Sequence, residues 1–482
     1  MIGGGAYTDP SPHRQFWHAG LRRATLPSMT AGTFYAPPVP LVPARPLPLP
    51  AFLRAIGTNA LSSWPEPAYE QPVLTRSIFG RRNMLLNSPE AIHRVLVDNH
   101  ANYRRSPASV RILRPITGYG LLLSEGDDWR LQRRTIAPAL APRIIPMLAR
   151  HIMSVAQETV AALHAQTGRP VDLLEVVEAT ALEIAGRSMF SLEMHQYGGA
   201  VRGLLEEYAR RWSQPHLLDL ILPLSIPTLR DIRRARFQRR WMALMEHITR
   251  ARLAAPQTED ARDLFDLLHA ARDPETGRAF SPDQLRDQLA TLLLAGHATT
   301  AVALFWALTL LSHAPAEQDL LADEVAGLDL SADAVADTLP KLVRTRAVIN
   351  ETMRLYPPAF AIARVSVQQD RAGDITIPPR TLLIIAPWVL HRHRGLWRDP
   401  QVFDPDRFMP DTPSPPRLAY LPFGAGPRVC VGAQFALTEA TLVLALLVRD
   451  FAIKMDPNES VLPVAIVTTQ PDHPPQFILT PR

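Results

Sequence analysis

Cys430 is the single thiol among 482 residues, and it stands in the string PFGAGPRVCVG at 422–432. One cysteine excludes an internal disulfide and any cysteine-rich metal cluster. A lone cysteine is most often an inert buried thiol, so the surrounding residues must decide its role. Gly424 and Gly426 permit a tight loop whose backbone can approach a flat partner. The following run AQFALTEATLVLALLV, 433–448, predicts a helix that begins just after the thiol. A helix N-terminus favours a thiolate. With Arg428 two residues earlier, this arrangement suits axial ligation of a haem iron, and backbone N–H groups aimed at the sulfur would moderate its charge.

The pattern F-G-x-G-x-R-x-C-x-G, filled by Phe423, Gly424, Gly426, Arg428, Cys430 and Gly432, resembles the haem-binding signature of the cytochromes P-450. The resemblance runs from about Leu74 to the C-terminus. It implies a mainly α fold with small β-sheets, haem b between the long central helix and the cysteine-loop helix, and Cys430 as the axial iron ligand. Arg428 would contact a haem propionate, Phe423 would pack near the sulfur, and Gly432 would belong to the cofactor loop. The arginine in this motif and the string HRHRGLWRDP at 391–400 are more similar to the fatty-acid-hydroxylase and eukaryote-like branch than to the compact bacterial one.

Three further constellations gain meaning from the resemblance. Glu351 and Arg354, spaced i, i+3, can pair on one helix face, though an isolated pair of this kind is usually a solvated surface bridge of little worth. They resemble the E-x-x-R motif of the family, and Phe403-Asp404-Pro405-Asp406-Arg407-Phe408 resembles its meander. Glu351, Arg354 and Arg407 are therefore expected to form a structural network that locks the cysteine loop. Trp129 and Arg133, four apart on a predicted helix, read alone as a packing indole and a surface cation. In the family such a pair holds a propionate, which suits indole and guanidinium donors. Arg364 is the expected partner of the other propionate.

The third constellation is Ala295-Gly296-His297-Ala298-Thr299-Thr300, similar to the oxygen-binding segment of the family. Ala295 and Gly296 are then expected beside the haem; a helical Gly costs about 1 kcal/mol against Ala and makes sense where a ligand presses on the backbone. Thr299 is the expected catalytic residue, delivering protons to bound dioxygen. It can equally bond back to the Ala295 carbonyl, and the two roles are compatible. The family usually carries Asp or Glu at the position of Ala298. That departure leaves three outcomes: oxygenation through ordered water, leakage of peroxide, or chemistry that needs no such relay.

These residues need elements to position them. Ser281-Pro282-Asp283-Gln284 forms a capping-box start of a helix that runs until Pro315. From Leu289 to Leu311 that helix carries no charged residue, so it is a core helix or a membrane span; the polar interruption at its midpoint favours the core. A second helix begins near Pro340 and ends before Pro357. Strand-like stretches lie at 73–86 around Gly80, near 361–386 and near 461–480. Helical periodicity dominates between about 97 and 449, and one catalytic domain, 51–482, follows a flexible proline-rich segment, 1–50.

Composition is that of a folded enzyme, with 47% apolar and 20% charged residues. The net charge of +5 is almost all arginine, because Lys341 and Lys454 are the only lysines. No basic run or motif supports nucleic-acid binding. The start shows no signal-peptide pattern, although an acid-poor, Arg-bearing start also fits an organelle transit peptide. A soluble, cytoplasmic, bacterial monomer is expected.

The implied activity is insertion of one atom of O2 into an apolar substrate: a fatty acid, a terpenoid or a polycyclic compound. Pocket walls are expected from 112–123, 204–222, 292–295, 360–362 and 468–470, with Arg111 or Arg114 as a candidate anchor for a carboxylate. Neither a nucleotide fingerprint nor a second cysteine is present, so electrons are expected from a separate ferredoxin or flavin reductase. The alternatives are a peroxide-using or rearranging haem-thiolate enzyme, motivated by Ala298, and a catalytically silent haem sensor.

Overall fold

The computed structural model describes residues 35–78, 80–191, 197–254 and 261–482. The expected loose start, up to residue 34, lies outside the described residues. Tyr35–Arg482 forms one compact unit. The described part of the proline-rich segment is tied to it. The Tyr35 ring stacks on His313 at 4.5 Å, the Tyr35 carbonyl accepts the Phe403 N–H, and the Leu47 carbonyl accepts from Arg76.

Helices frame the site: α1 (Pro107–Thr117), α2 (Gly126–Ile136), α3 (Ile145–His164), α4 (Leu173–Phe190), α5 (Gly198–Glu207), α6 (Leu229–Ala254), α7 (Pro282–Ser312), α8 (Val343–Leu355) and α9 (Ala433–Asp450). The expected capping box of α7 forms: Ser281 accepts the Gln284 N–H and the Gln284 side chain accepts the Ser281 N–H. α7 is long and apolar enough to cross a membrane by length and composition. Its residues 300–311 are all buried, and it packs against α4, α8 and α9. That is the environment of a core helix. α8 starts three residues later than Pro340 suggests, because Leu339–Lys341 forms a separate 3-10 turn.

Strands β1 (Val73–Ile78), β2 (Arg81–Leu86), β3 (Tyr103–Arg105), β5 (Ile362–Ser366) and β6 (Leu382–Ile385) form one sheet in the order β1-β2-β6-β5-β3. Only the β2–β6 pairing is parallel. Strands β4 (Pro170–Asp172), β7 (Phe451–Met455) and β8 (Gln476–Pro481) form a second sheet, in the order β4-β8-β7. Two small hairpins, 370–377 and 463–471, complete the β structure. The mainly helical architecture with small sheets is the expected one. β3 and β4 fall inside stretches that read as helical, because three-residue strands carry no periodicity and exist only through their partners.

Candidate functional site

The Cys430 loop is held from both sides. Gly424 and Gly426 both have φ of +72°, a conformation that favours glycine. A Cβ at Gly426 would collide with the Leu96 carbonyl, so the loop lies directly against the 94–98 turn. The Cys430 N–H donates to the Phe423 carbonyl at 2.9 Å and closes the loop. Gly432 caps α9 two residues further on. Cys430 is exposed. Protein packed around it pushes the thiol above its ordinary value, while the Gly432 backbone and Arg133 pull toward the thiolate.

α2 meets this loop edge-on. Arg133 donates to the Val429 carbonyl at 2.8 Å, and the Arg428 guanidinium lies 4.5 Å from the centre of the buried Trp129 ring. Arg428 also donates to the Ser124 carbonyl at 3.1 Å and pairs with Glu125. His100 stands edge-on to Trp129 at 6.3 Å.

Arg364 is only 7% exposed and donates to the Ala363 carbonyl. Directly across from it in the sheet is Arg105, whose Nε is enclosed and has no partner among the described residues. Burial, and then the neighbouring guanidiniums, push Arg105 down to about 9 and Arg364 to about 10. Glu125 is the carboxylate that acts on Arg105, Arg364 and Arg428. Three enclosed cations with one anion leave a surplus positive charge, which is costly unless an anionic ligand completes it. A haem carries two carboxylates, and the residues present fit them. Sequence reasoning named Arg364 and Arg428 but missed Arg105, Glu125 and His100. Their partners are remote in the chain, and no local spacing marks them.

Glu351 and Arg354 are fully buried, and Arg407 is half-buried. Arg354 makes two bonds to Glu351, at 2.6 and 2.7 Å, and donates to the carbonyls of His391, Pro400 and Val402. Arg407 lies 3.6 Å from Glu351 and donates to the Asp399 carbonyl. Burial pushes the Glu351 carboxyl up, and Arg354, the Asp404 N–H and Arg407 pull it down. His391 carries this network to the cysteine loop: its Nε2 accepts the Leu421 N–H at 2.8 Å, so its Nδ1 is the nitrogen that donates to the Arg354 carbonyl.

On α7 the Thr299 hydroxyl donates to the Ala295 carbonyl at 2.6 Å. Ala295 is exposed and 296–299 are half-buried, whereas 300–311 are buried. The central helix is therefore uncovered along the stretch that carries Ala295, Gly296 and Thr299. The surrounding walls are fastened to α7: Tyr119 and Leu121 N–H groups donate to Asp287 and Gln288, and the Trp306 indole donates to the Thr469 carbonyl.

Arg111 is not free to anchor a substrate carboxylate. It is 6% exposed and donates to the carbonyls of Leu218, Leu222, Pro223 and Ile226, with Asp231 at 3.4 Å. A cluster of backbone carbonyls outcompetes any ligand for a five-donor guanidinium. Arg114 lies over the exposed Tyr119 ring at 5.0 Å. A surface cavity of about 760 Å³ lined by Arg211, Trp212, Leu218, Leu229 and Arg230 lies on the expected 204–222 wall, and none of its lining residues belongs to the cysteine loop, the arginine cluster or the Ala295–Thr299 stretch.

Residues 57–479 match the family Cytochrome P450. The chain is 34% identical to cyclooctatin synthase of Streptomyces melanosporofaciens over 78% of this chain and 81% of that protein. It is 29% identical to pentalenene oxygenase of Streptomyces avermitilis, over 79% and 84%. The crystal structure of the cytochrome P450DA heme domain shares the fold, with a TM-score of 0.73, 24% identity and coverage of 85% and 90%. The chain belongs to the cytochrome P450 family and is an oxidoreductase of the monooxygenase type.

Proposed function

We propose that the chain binds haem b through Cys430 and hydroxylates a cyclic terpenoid, taking electrons from a separate ferredoxin or flavin reductase. The observation that carries the haem assignment is the surplus of guanidinium charge at the buried Arg364 and the half-buried Arg105 and Arg428 beside the cysteine loop. Haem supplies an iron at which dioxygen is reduced and one oxygen atom is passed to substrate. The rest is the work of this chain. Cys430 offers a thiolate at a helix start, and the loop held by Phe423, Gly426 and Gly432 keeps the sulfur in place. Arg105, Arg364, Arg428, Trp129 and Arg133 orient the propionate side. The Glu351–Arg354–Arg407 network holds the loop, Ala295 and Gly296 let the cofactor approach the backbone, and Thr299 passes protons.

The apolar content of the expected wall segments 112–123, 292–295 and 360–362 supports an apolar substrate. The likeness to proteins named cyclooctatin synthase and pentalenene oxygenase favours a terpenoid over a fatty acid. The removal of Arg111 as a carboxylate anchor points the same way. The donor would meet arginines beside the cysteine loop, and the protein would act as a soluble bacterial monomer. The test is visible spectroscopy. The reduced, CO-treated protein is expected to show the long-wavelength Soret band of thiolate-ligated haem. Cyclic terpenes are then expected to shift the spin state where fatty acids do not. A Soret band that stays put, or is unchanged in Cys430→His, overturns the haem-thiolate reading. A second reading, peroxide-driven or rearranging chemistry, rests on Ala298; turnover with peroxide and none with a reductase would favour it.

A further inference from the structure

Large apolar side chains crowd one stretch of the surface. Six of the thirteen that stand exposed among the described residues, Leu217, Leu218, Leu224, Ile226, Leu229 and Ile232, fall between 217 and 232. Exposed apolar residues scattered singly need no explanation, but a patch of them marks an interaction site. The cavity of about 760 Å³ adjoins this stretch, and Trp212, Leu218 and Leu229 supply its apolar lining. Its cationic lining is Arg211, Arg230 and Arg233. The volume lies in the range of small-molecule pockets and exceeds what a simple ion needs.

Bonds within the protein fix the frame of the cavity. Asp219, 1% exposed, accepts two bonds from Arg234, at 2.8 and 2.9 Å, and Arg234 also donates to the Trp212 carbonyl at 3.3 Å. Arg230 donates to the Arg211 carbonyl at 2.7 Å, which ties the start of α6 to the 208–212 turn. The charge is one-sided. Asp219, the carboxylate in the lining, is already matched by the buried Arg234. Arg211 and Arg233 are exposed and make no side-chain hydrogen bond or ion pair among the described residues. Glu207, which feels the Arg211 charge, is bonded by Arg240 and Trp212. Burial and then Arg234 push Arg230 below its ordinary value. Three guanidiniums thus surround the cavity, beside an apolar patch, with no carboxylate among the described residues left to match them.

We propose that this cavity is a second binding site, for a phosphate-headed amphiphile. The phosphate sits among Arg211, Arg230 and Arg233, and the hydrocarbon chain lies along Leu218 and Leu229 onto the exposed patch. Guanidiniums present forked pairs of donors, and a phosphate has enough oxygens to engage several of them at once. A carboxylate, with two oxygens, satisfies one fork and leaves the other cations unmatched. The apolar lining and the patch outside it account for the chain, which inorganic phosphate lacks. Arg211 precedes the 213–228 segment and Arg230 and Arg233 follow it, so a ligand held by all three bridges the two ends of that segment and steadies it. Binding here depends on neither haem nor substrate, because the cavity shares no residue with the cysteine loop, the arginine cluster at Arg364 or the Ala295–Thr299 stretch.

The test is calorimetric titration of the full, haem-loaded chain with dodecyl phosphate, kept below the concentration at which it forms micelles. One saturable site is expected, weakened about tenfold or more in the double variant Arg211→Gln, Arg233→Gln. Both side chains are exposed, so the fold is spared, and an unchanged visible spectrum of the variant checks this. Dodecyl glucoside, with the same chain and no charge, and inorganic phosphate, with no chain, are each expected to bind at least about tenfold more weakly. The haem spin state, read in the same titration, separates this site from the cleft at Cys430: the arginine-dependent heat is expected with no spin change. Thermolysin cleavage within 213–228 is expected to slow several-fold at saturation. Equal binding by parent and double variant overturns the proposal, as do equal binding of dodecyl glucoside, heat that follows the spin change, or unaltered cleavage. Sedimentation with phosphatidylglycerol vesicles, against phosphatidylcholine vesicles, then identifies the source of the phosphate head: arginine-dependent sedimentation makes it a membrane lipid, and none makes it a free amphiphile.

Discussion

Arg105 and Arg364 stand directly opposite each other where β3 pairs with β5, two enclosed guanidiniums in a register that places like charges face to face. Like charges directly opposite destabilise a strand pair. The fold retains the arrangement, which is the physical signature of a site completed by an anion.

Replacing Arg105 with Met is therefore expected to act in opposite directions on the two forms of the protein. The haem-free form should gain about 1 kcal/mol, and haem loss should quicken about tenfold or more as a charge-assisted bond is removed. Thermal melting of the haem-free protein and haem transfer to an acceptor protein measure the two. Equal destabilisation of both forms would show that Arg105 is only a packing residue.

Gly426→Ala forces a side chain into a left-handed backbone and against the Leu96 carbonyl. The backbone cost alone is about 1–2 kcal/mol. The cysteine loop is expected to shift and the CO-induced Soret band to fall sharply. Full retention of that band would contradict the close approach.

Glu351→Ala leaves Arg354 buried without its carboxylate. The expected loss is about 3–5 kcal/mol, read as poor soluble yield, a lower melting point and little haem uptake. Lys or Met at Arg407, which is less enclosed and 3.6 Å away, should cost less.

His391 ties stability to acid. Burial first, and then Arg354 and Arg392, lower it to about 3 from an ordinary 6.5. The folded ring stays neutral where the unfolded ring takes up a proton. Its contribution is whole above the unfolded value and is lost as pH falls from there toward the folded one, at up to about 1.4 kcal/mol per pH unit. His391→Gln, which does not titrate, should lower stability at pH 7 yet flatten its fall between pH 6.5 and 4.5 in denaturant unfolding. An unchanged slope would assign the acid sensitivity elsewhere, His297 being the next group.

Arg111→Ala withdraws the donor from four carbonyls of the 218–226 segment. Unpaired buried acceptors cost about 1–3 kcal/mol each when no water replaces the donor. Faster protease cleavage within that segment is expected, with haem content unchanged. Loss of haem instead would mean that the segment is coupled to the cysteine loop.

Part of this protein is legible in its amino-acid sequence alone. The cysteine loop, the α9 helix behind it, the Ser281–Gln284 capping box and the Glu351–Arg354 spacing are all encoded within a few residues, so local chemistry suffices to recognise them. Composition and one thiol exclude other frameworks outright. The tertiary structure decides what depends on residues far apart in the chain. Arg105 meets Arg364 only because β3 finds β5. His391 couples Arg354 to Leu421 only because the meander folds back. Arg111 is taken out of substrate binding by carbonyls more than a hundred residues away. Side-chain type and spacing specify what a residue can do, while burial and long-range partners determine which of those capacities it is left to use.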